Sequence, residues 1–171
     1  MSDERGLTYL ADRIAIQDCL IRYCRGIDRG DADLVQSAYW EDSYDDHGTY
    51  KGSGWDFGAY AVPRLNAGYA STHHTLLNSS VDVLGDIAHA ETYVHAYHAT
   101  HPAEDGSTSV MLFAGRYVDR FEQRGGEWRI ANRTVVYDFS RIDPVDQDID
   151  PNWKTRFTLG RRDRDDLSYG R

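Results

Sequence analysis

A chain of 171 residues, 40% hydrophobic and 27% charged, can bury one sizeable core, which excludes a disordered chain and leaves a single soluble domain. Its net charge of −9 excludes a phosphate-backbone partner, because nucleic-acid affinity needs clustered basic surface. No stretch has the apolar length of a membrane span, and the opening MSDERG is too polar for a secretory signal.

The first element predicted is a helix over residues 7–27, where Leu7, Leu10, Ile14, Ile21, Cys24 and Ile27 recur at helical spacing, interrupted at Gln17. Cys19 and Cys24 both fall in it and point to different sides, so a disulfide between them is not expected. Reduced thiols suit a cytoplasmic location. Gly26 and Gly30 bracket Asp28 and loosen the helix there. A carboxylate near a helix C-terminus is electrostatically disfavoured, so either something rewards it or it is a solvated loop acid.

Asp31 is the predicted cap of a second short helix over residues 32–40. The stretch SYDDHGTYKG, alternating tyrosines and acids with glycine for turns, predicts short strands. A third helix is expected over residues 54–70, carrying Trp55, Phe57, Tyr60, Leu65 and Tyr69, with Pro63 kinking or splitting it.

Residues 71–101 then read as a hairpin turning at Gly85-Asp86, and they hold six of the seven histidines. Alternation puts Glu91, Tyr93, His95 and Tyr97 on one face, and Thr92, Val94, Ala96 and His98 on the other. A strand with imidazole or phenol on both faces suggests one wall of a polar pocket. Residues 107–123 form the next strand, Arg124-Gly125-Gly126 the turn, and residues 127–141 the last strand. In simple alternation Trp128, Ile130, Asn132, Thr134 and Val136 share one face, and Arg129, Ala131, Arg133, Val135 and Tyr137 the other. An arginine on that second face is either partly buried or paired. Three helices followed by a meander of long strands is the α+β pattern.

The tail, residues 142–171, loses periodicity, but Trp153, Phe157, Leu159 and Tyr169 suggest packing on its own or a neighbouring subunit. The expected organisation is a domain over residues 1–141 with a C-terminal extension.

Helices, then Gly48-Thr49-Tyr50-Lys51-Gly52, then a histidine hairpin, then a GxW turn make the chain resemble the SnoaL-like branch of the nuclear transport factor 2-like superfamily. That branch includes scytalone dehydratase, a bile-acid dehydratase and hexachlorocyclohexane dehydrochlorinase. The stretch Gly26-Ile27-Asp28-Arg29 resembles the one carrying the dehydrochlorinase's catalytic aspartate. His74, followed by Asn78, resembles its catalytic histidine and following asparagine, and Arg133 stands where it has an active-site arginine. The resemblance covers residues 7–140. It implies three N-terminal helices packed on a strongly curved, mostly antiparallel sheet in a cone shape, with a deep pocket between. It also implies elimination, isomerisation or cyclisation without metal or organic cofactor, and a homo-oligomer, trimer or dimer.

On this resemblance the working set is His74, Asp28, Tyr23 and Arg133. Neutral imidazole suits proton removal near neutral pH, and a carboxylate on its far nitrogen fixes the tautomer. Tyr23 stands where the bile-acid dehydratase has a catalytic tyrosine and can protonate a leaving hydroxyl; Arg133 can hold developing negative charge. His73 is adjacent to His74 and must face the other way, and periodicity does not choose between them. Tyr50, Asn78, Tyr97, His98, Tyr44 and Tyr137 are candidate substrate contacts or pocket lining.

No metal is expected: His98 faces away from His95 and His101 on a strand, and no zinc-type spacing is present. Twelve tyrosines and four tryptophans suggest an aromatic-lined cavity for a hydroxylated aromatic substrate. The expectation is a cofactor-independent lyase acting by dehydration, with or without loss of a small aldehyde. An isomerase or aldol-type cyclase on the same base is one alternative; a non-catalytic small-molecule-binding protein is another.

Overall fold

The computed structural model describes residues 2–145 and 152–170, the side chains of residues 2–5, 153 and 154 aside. Helix α1 (Ser2–Arg29) leads into α2 (Ala32–Gln36), β1 (Tyr39–Asp46), β2 (Lys51–Ser53) and α3 (Gly54–Gly68). Four long strands follow: β3 (Tyr69–Leu84), β4 (Ile87–Thr100), β5 (Thr108–Arg124) and β6 (Glu127–Val145). One six-stranded sheet has the order β2-β1-β6-β5-β4-β3; β1 and β6 run parallel and every other pair is antiparallel. The fold is the expected α+β arrangement, helices packed against a curved, mostly antiparallel sheet. The last strand runs to Val145, past the boundary expected at residue 141.

The first helix keeps the stripe read in the sequence at Cys24 and Ile27 but buries a different face before them. Leu7, Leu10, Ile14 and Ile21 are all about half exposed or more, whereas Ile16, Cys19, Leu20, Tyr23, Cys24 and Ile27 are buried. Those positions also recur at three and four residues, so one period fits two faces and only packing against β3 and β6 chooses. Both cysteines are free and buried.

Two further expectations are corrected. The second helix ends at Gln36, and Tyr39 and Trp40 open β1. Pro63 lies inside α3 without splitting it into separate helices. Its missing N–H frees the carbonyl of Ala59, an exposed residue, which water can satisfy.

The strands curve at bulges. Along β6, Ile130 pairs with Phe121 but Asn132 with Arg120, so Ala131 is an extra residue. This reverses the alternation expected for the strand. Trp128, Ile130 and Arg133 are all buried, where unbroken alternation would put Arg133 on the opposite face. Another bulge sets Gly115 against Tyr137 and Ala114 against Phe139. A Cβ at Gly115 would meet the Val136 carbonyl at 2.2 Å, so the backbones approach too closely there for any side chain.

Candidate active site

Between the helices and the concave face of the sheet lies a cavity of about 360 Å³, within the range of small-molecule sites. Its wall includes Tyr23 and Ile27 from α1, Phe57 and Tyr60 from α3, and His74 and His98 from the hairpin.

The hairpin forms as its sequence suggests. Leu84 pairs with Ile87 across the two-residue turn Gly85-Asp86, with Gly85 at φ +66°. Its register sets Thr72 opposite His98 and His74 opposite Ala96, and cross-strand partners share a face. Thr72, His98 and Ala96 are buried and His74 is half-buried, while His73 and Tyr97 are exposed on the other side. Pairing thus settles which of the adjacent histidines faces the cavity.

Asp28, at the last turn of α1, is 8% exposed and meets three donors. The Thr72 hydroxyl donates at 2.9 Å, the His74 backbone N–H at 2.9 Å, and His74 Nδ1 lies 2.7 Å from Oδ1. Burial pushes the Asp28 carboxyl up, but the hydrogen bonds and charge of His74, with Thr72, outweigh it and hold the group below its usual value. The ionised carboxylate can only accept, so the His74 Nδ1 that faces it carries a proton. These bonds offset the unfavourable end of the helix dipole.

His98 lies edge-on to His74 with ring centres 5.7 Å apart, and its Nδ1 donates to the Ala96 carbonyl at 3.1 Å. Burial, then the neighbouring His74, pushes its pKa down to about 4, so it is a neutral wall residue at neutral pH.

The tail reaches this pair. Arg162 donates to the Thr72 hydroxyl at 3.0 Å, to the Asn66 side chain at 3.0 Å and to the Ile27 carbonyl at 3.2 Å. Arg164 pairs with Asp31, which also caps α2 and accepts the Tyr169 hydroxyl at 2.8 Å. Gly30 has φ +65°, and the Arg162 carbonyl would lie 2.9 Å from a Cβ there, so glycine is required twice over. The tail docks through these polar contacts, while Phe157 and Leu159, expected to pack, are mostly exposed.

Tyr23 is 1% exposed and lines the cavity. Its hydroxyl lies 3.1 Å from His47 Nε2, and His47 Nδ1 bonds the Asp45 carboxylate, which also accepts the Tyr39 hydroxyl. His47 was missed in the sequence. It is the one histidine outside the hairpin, and the signal available was Asp45-x-His47, an acid and an imidazole two residues apart where β1 ends.

Arg133 is not in the cavity wall. It is fully buried, paired through two 2.7 Å contacts with Asp119, and its guanidinium lies 4.3 Å from the Tyr23 ring centre and 4.0 Å from that of Tyr117. Burial opposes its charge, but Asp119 outweighs that and keeps it protonated. The expected contact with substrate charge is therefore corrected: Arg133 backs Tyr23 from behind.

Tyr50 lines the cavity, its hydroxyl donating to the Ser53 carbonyl at 2.7 Å. Asn78, Tyr97, Tyr44 and Tyr137 do not line it and are exposed. Asn78 falls in the register shift between Leu76 and Ser79, which takes it out of the site. Among the described residues no group of three or more His, Cys, Asp or Glu is placed to hold a metal ion. No helix among them is long and apolar enough to cross a membrane.

Helices closing a curved sheet over an aromatic cavity, with a carboxylate-bonded imidazole in its wall, define a small cone-shaped α+β domain. The chain belongs to the SnoaL-like domain family, whose model matches residues 8–134. Comparison with curated proteins gives no match. Among solved structures it is similar to a candidate scytalone dehydratase from Novosphingobium aromaticivorans, 18% identical over 88% of this chain and 94% of that one, TM-score 0.70. It is also similar to the hexachlorocyclohexane dehydrochlorinase LinA-type3 from Novosphingobium barchaimii, 20% identical over 84% and 96%, TM-score 0.69. A third is a candidate aromatic-ring-hydroxylating dioxygenase beta subunit from Novosphingobium aromaticivorans, 23% identical over 77% and 92%, TM-score 0.61. Identities this low show a shared fold and leave the chemistry to the site itself.

Proposed function

We propose that the protein is a cofactor-independent lyase that eliminates water from a hydroxylated aromatic small molecule. The observation that carries this reading is His74 in an aromatic cavity wall, its Nδ1 held by the buried carboxylate of Asp28. With Nδ1 engaged, Nε2 can take a proton from the substrate, and Asp28 stabilises the imidazolium that forms. Tyr23 supplies the proton that lets the hydroxyl depart as water. Phe57, Tyr60, Tyr69 and Phe113 give the cavity flat apolar faces for an aromatic ring. A para-phenol that loses its proton to His74 can expel a benzylic hydroxyl, forming a quinone methide. Release of a small aldehyde can follow from the same intermediate. The dehydratase and dehydrochlorinase among the similar structures support elimination as the class of reaction.

We further propose a cytoplasmic homo-oligomer: Tyr137, Phe139 and Ile142 on β6 are more than half exposed, apolar surface that a second copy would cover.

Incubation with a panel of para-phenolic benzylic alcohols, followed by mass spectrometry, tests the function. Loss of water is expected and is abolished in His74→Ala. Conversion with unchanged mass would identify an isomerase instead, and tight retention without any product would overturn the enzyme reading.

A further inference from the structure

Asp45, His47 and Tyr23 form a second carboxylate–imidazole–hydroxyl chain behind and in the cavity wall, built from the end of β1, the residue after it and α1, independently of the Asp28–His74 pair. Asp45 is fully buried and anchored by the Tyr39 hydroxyl. The Phe57 ring stacks on His47 with centres 4.1 Å apart, which fixes the plane of the imidazole. Both His47 and Tyr23 line the cavity, so the chain runs from a buried carboxylate to its inner surface.

We propose that this chain is a proton relay for the leaving group, in which His47 replaces the proton that Tyr23 delivers. The inference rests on the elimination reading above and assigns its acid half.

The physical need for such a relay comes from the burial of Tyr23. Burial pushes its phenol far above its ordinary value despite Arg133 beside it, so a tyrosinate left behind there is strongly disfavoured. A second proton must arrive as the first departs. Arg133, against the ring face, does not release protons, and the Tyr39 hydroxyl is committed to Asp45. His47 Nε2, at 3.1 Å from the hydroxyl, is the neighbour that can supply one.

The step balances as follows. His74 Nε2 accepts a proton from the substrate, and that electron pair forms the new double bond as the carbon–oxygen bond breaks. The Tyr23 proton passes to the departing oxygen, giving water, and the His47 Nε2 proton passes to the Tyr23 oxygen. His47 is left neutral with Nδ1–H still on Asp45, and His74 is left as imidazolium. After product release His74 loses a proton to solvent and His47 regains one. No redox partner is involved.

The test uses the whole protein and two probes, a para-phenolic benzylic alcohol and its benzylic acetate, whose carboxylate leaves without a proton. His47→Gln and Tyr23→Phe are expected to slow the alcohol by about 100-fold or more, the usual scale of general-acid catalysis, with the loss at least about tenfold smaller on the acetate. Asp45→Asn should follow His47→Gln. His74→Ala should slow both probes equally, because both need the base. Equal losses on the two probes for His47→Gln, in protein with unchanged circular dichroism, would overturn the relay and leave the His74 assignment standing. Full activity of His74→Ala on both probes would instead remove the base assignment, and a leaving-group-dependent His47→Gln result would still support the relay.

Discussion

His74 Nδ1 and Asp28 Oδ1 lie 2.7 Å apart across 46 positions of sequence, joining the end of α1 to the inner face of β3. The His74 backbone N–H and the Thr72 hydroxyl bond the same carboxylate, so the pair is fixed by three contacts.

Removing either member should disable the same step. Asp28→Asn and His74→Ala are each expected to lower turnover by about 100-fold or more, and the double variant by little beyond the worse single. Kinetics of the four proteins on one confirmed substrate checks this; additive losses would show that the two residues do not act as a unit.

Stability should fall in acid through His98. Its folded pKa, pushed down to about 4, lies below the ordinary 6.5, so the unfolded chain takes up a proton that the folded one refuses. The contribution is therefore complete above about pH 6.5 and is lost as pH falls toward 4, by up to about 3 kcal/mol. Asp28, held below its usual value, adds a second loss at lower pH, as its carboxylate is protonated. Urea unfolding between pH 7 and 4 should show a slope that His98→Gln flattens; an unchanged slope would count against a buried neutral His98.

The Arg133–Asp119 pair is wholly buried, so losing one charge strands the other. Arg133→Met should destabilise the protein by about 3–5 kcal/mol, and the paired change Arg133→Met with Asp119→Leu by much less. Chemical denaturation of the single and double variants decides it. A mild effect of the single substitution would mean that Asp119 finds another partner.

The tail is expected to tune the site without taking part in chemistry. Arg162→Gln removes a donor from Thr72, and Gly30→Ala adds a Cβ where the Arg162 carbonyl would lie 2.9 Å away at a backbone with φ +65°. Gly30→Ala should cost about 1–3 kcal/mol, seen as a lowered melting temperature. Arg162→Gln should lower kcat through a looser Asp28 while leaving the fold intact. Full activity of a chain ending before Arg161 would show that the tail does not support the pair.

Much of the architecture was legible locally. Alternation and the Gly85-Asp86 turn predict the β3–β4 hairpin, because a two-residue turn fixes register and register fixes faces. The place of Asp28 near a helix end left two readings, a compensated carboxylate or a solvated loop acid, and the contacts with Thr72 and His74 decide for the first. The buried face of α1 was not legible, since two sets of apolar positions satisfy the same period. Arg133 could not be oriented, because one extra residue at Ala131 reverses the alternation beyond it. His47 carried only a two-residue spacing to a carboxylate, and nothing local joins that spacing to Tyr23 on another element.

By itself the sequence determined the element types, the α+β order and the inventory of acids, imidazoles and phenols, because helix period, strand alternation and turn chemistry are all short-range properties. Only the tertiary structure decided which imidazole meets which carboxylate, that Arg133 stands behind Tyr23, and that the tail reaches Thr72. Those contacts depend on strand register, bulges and packing between segments far apart in the chain, and no local pattern encodes them.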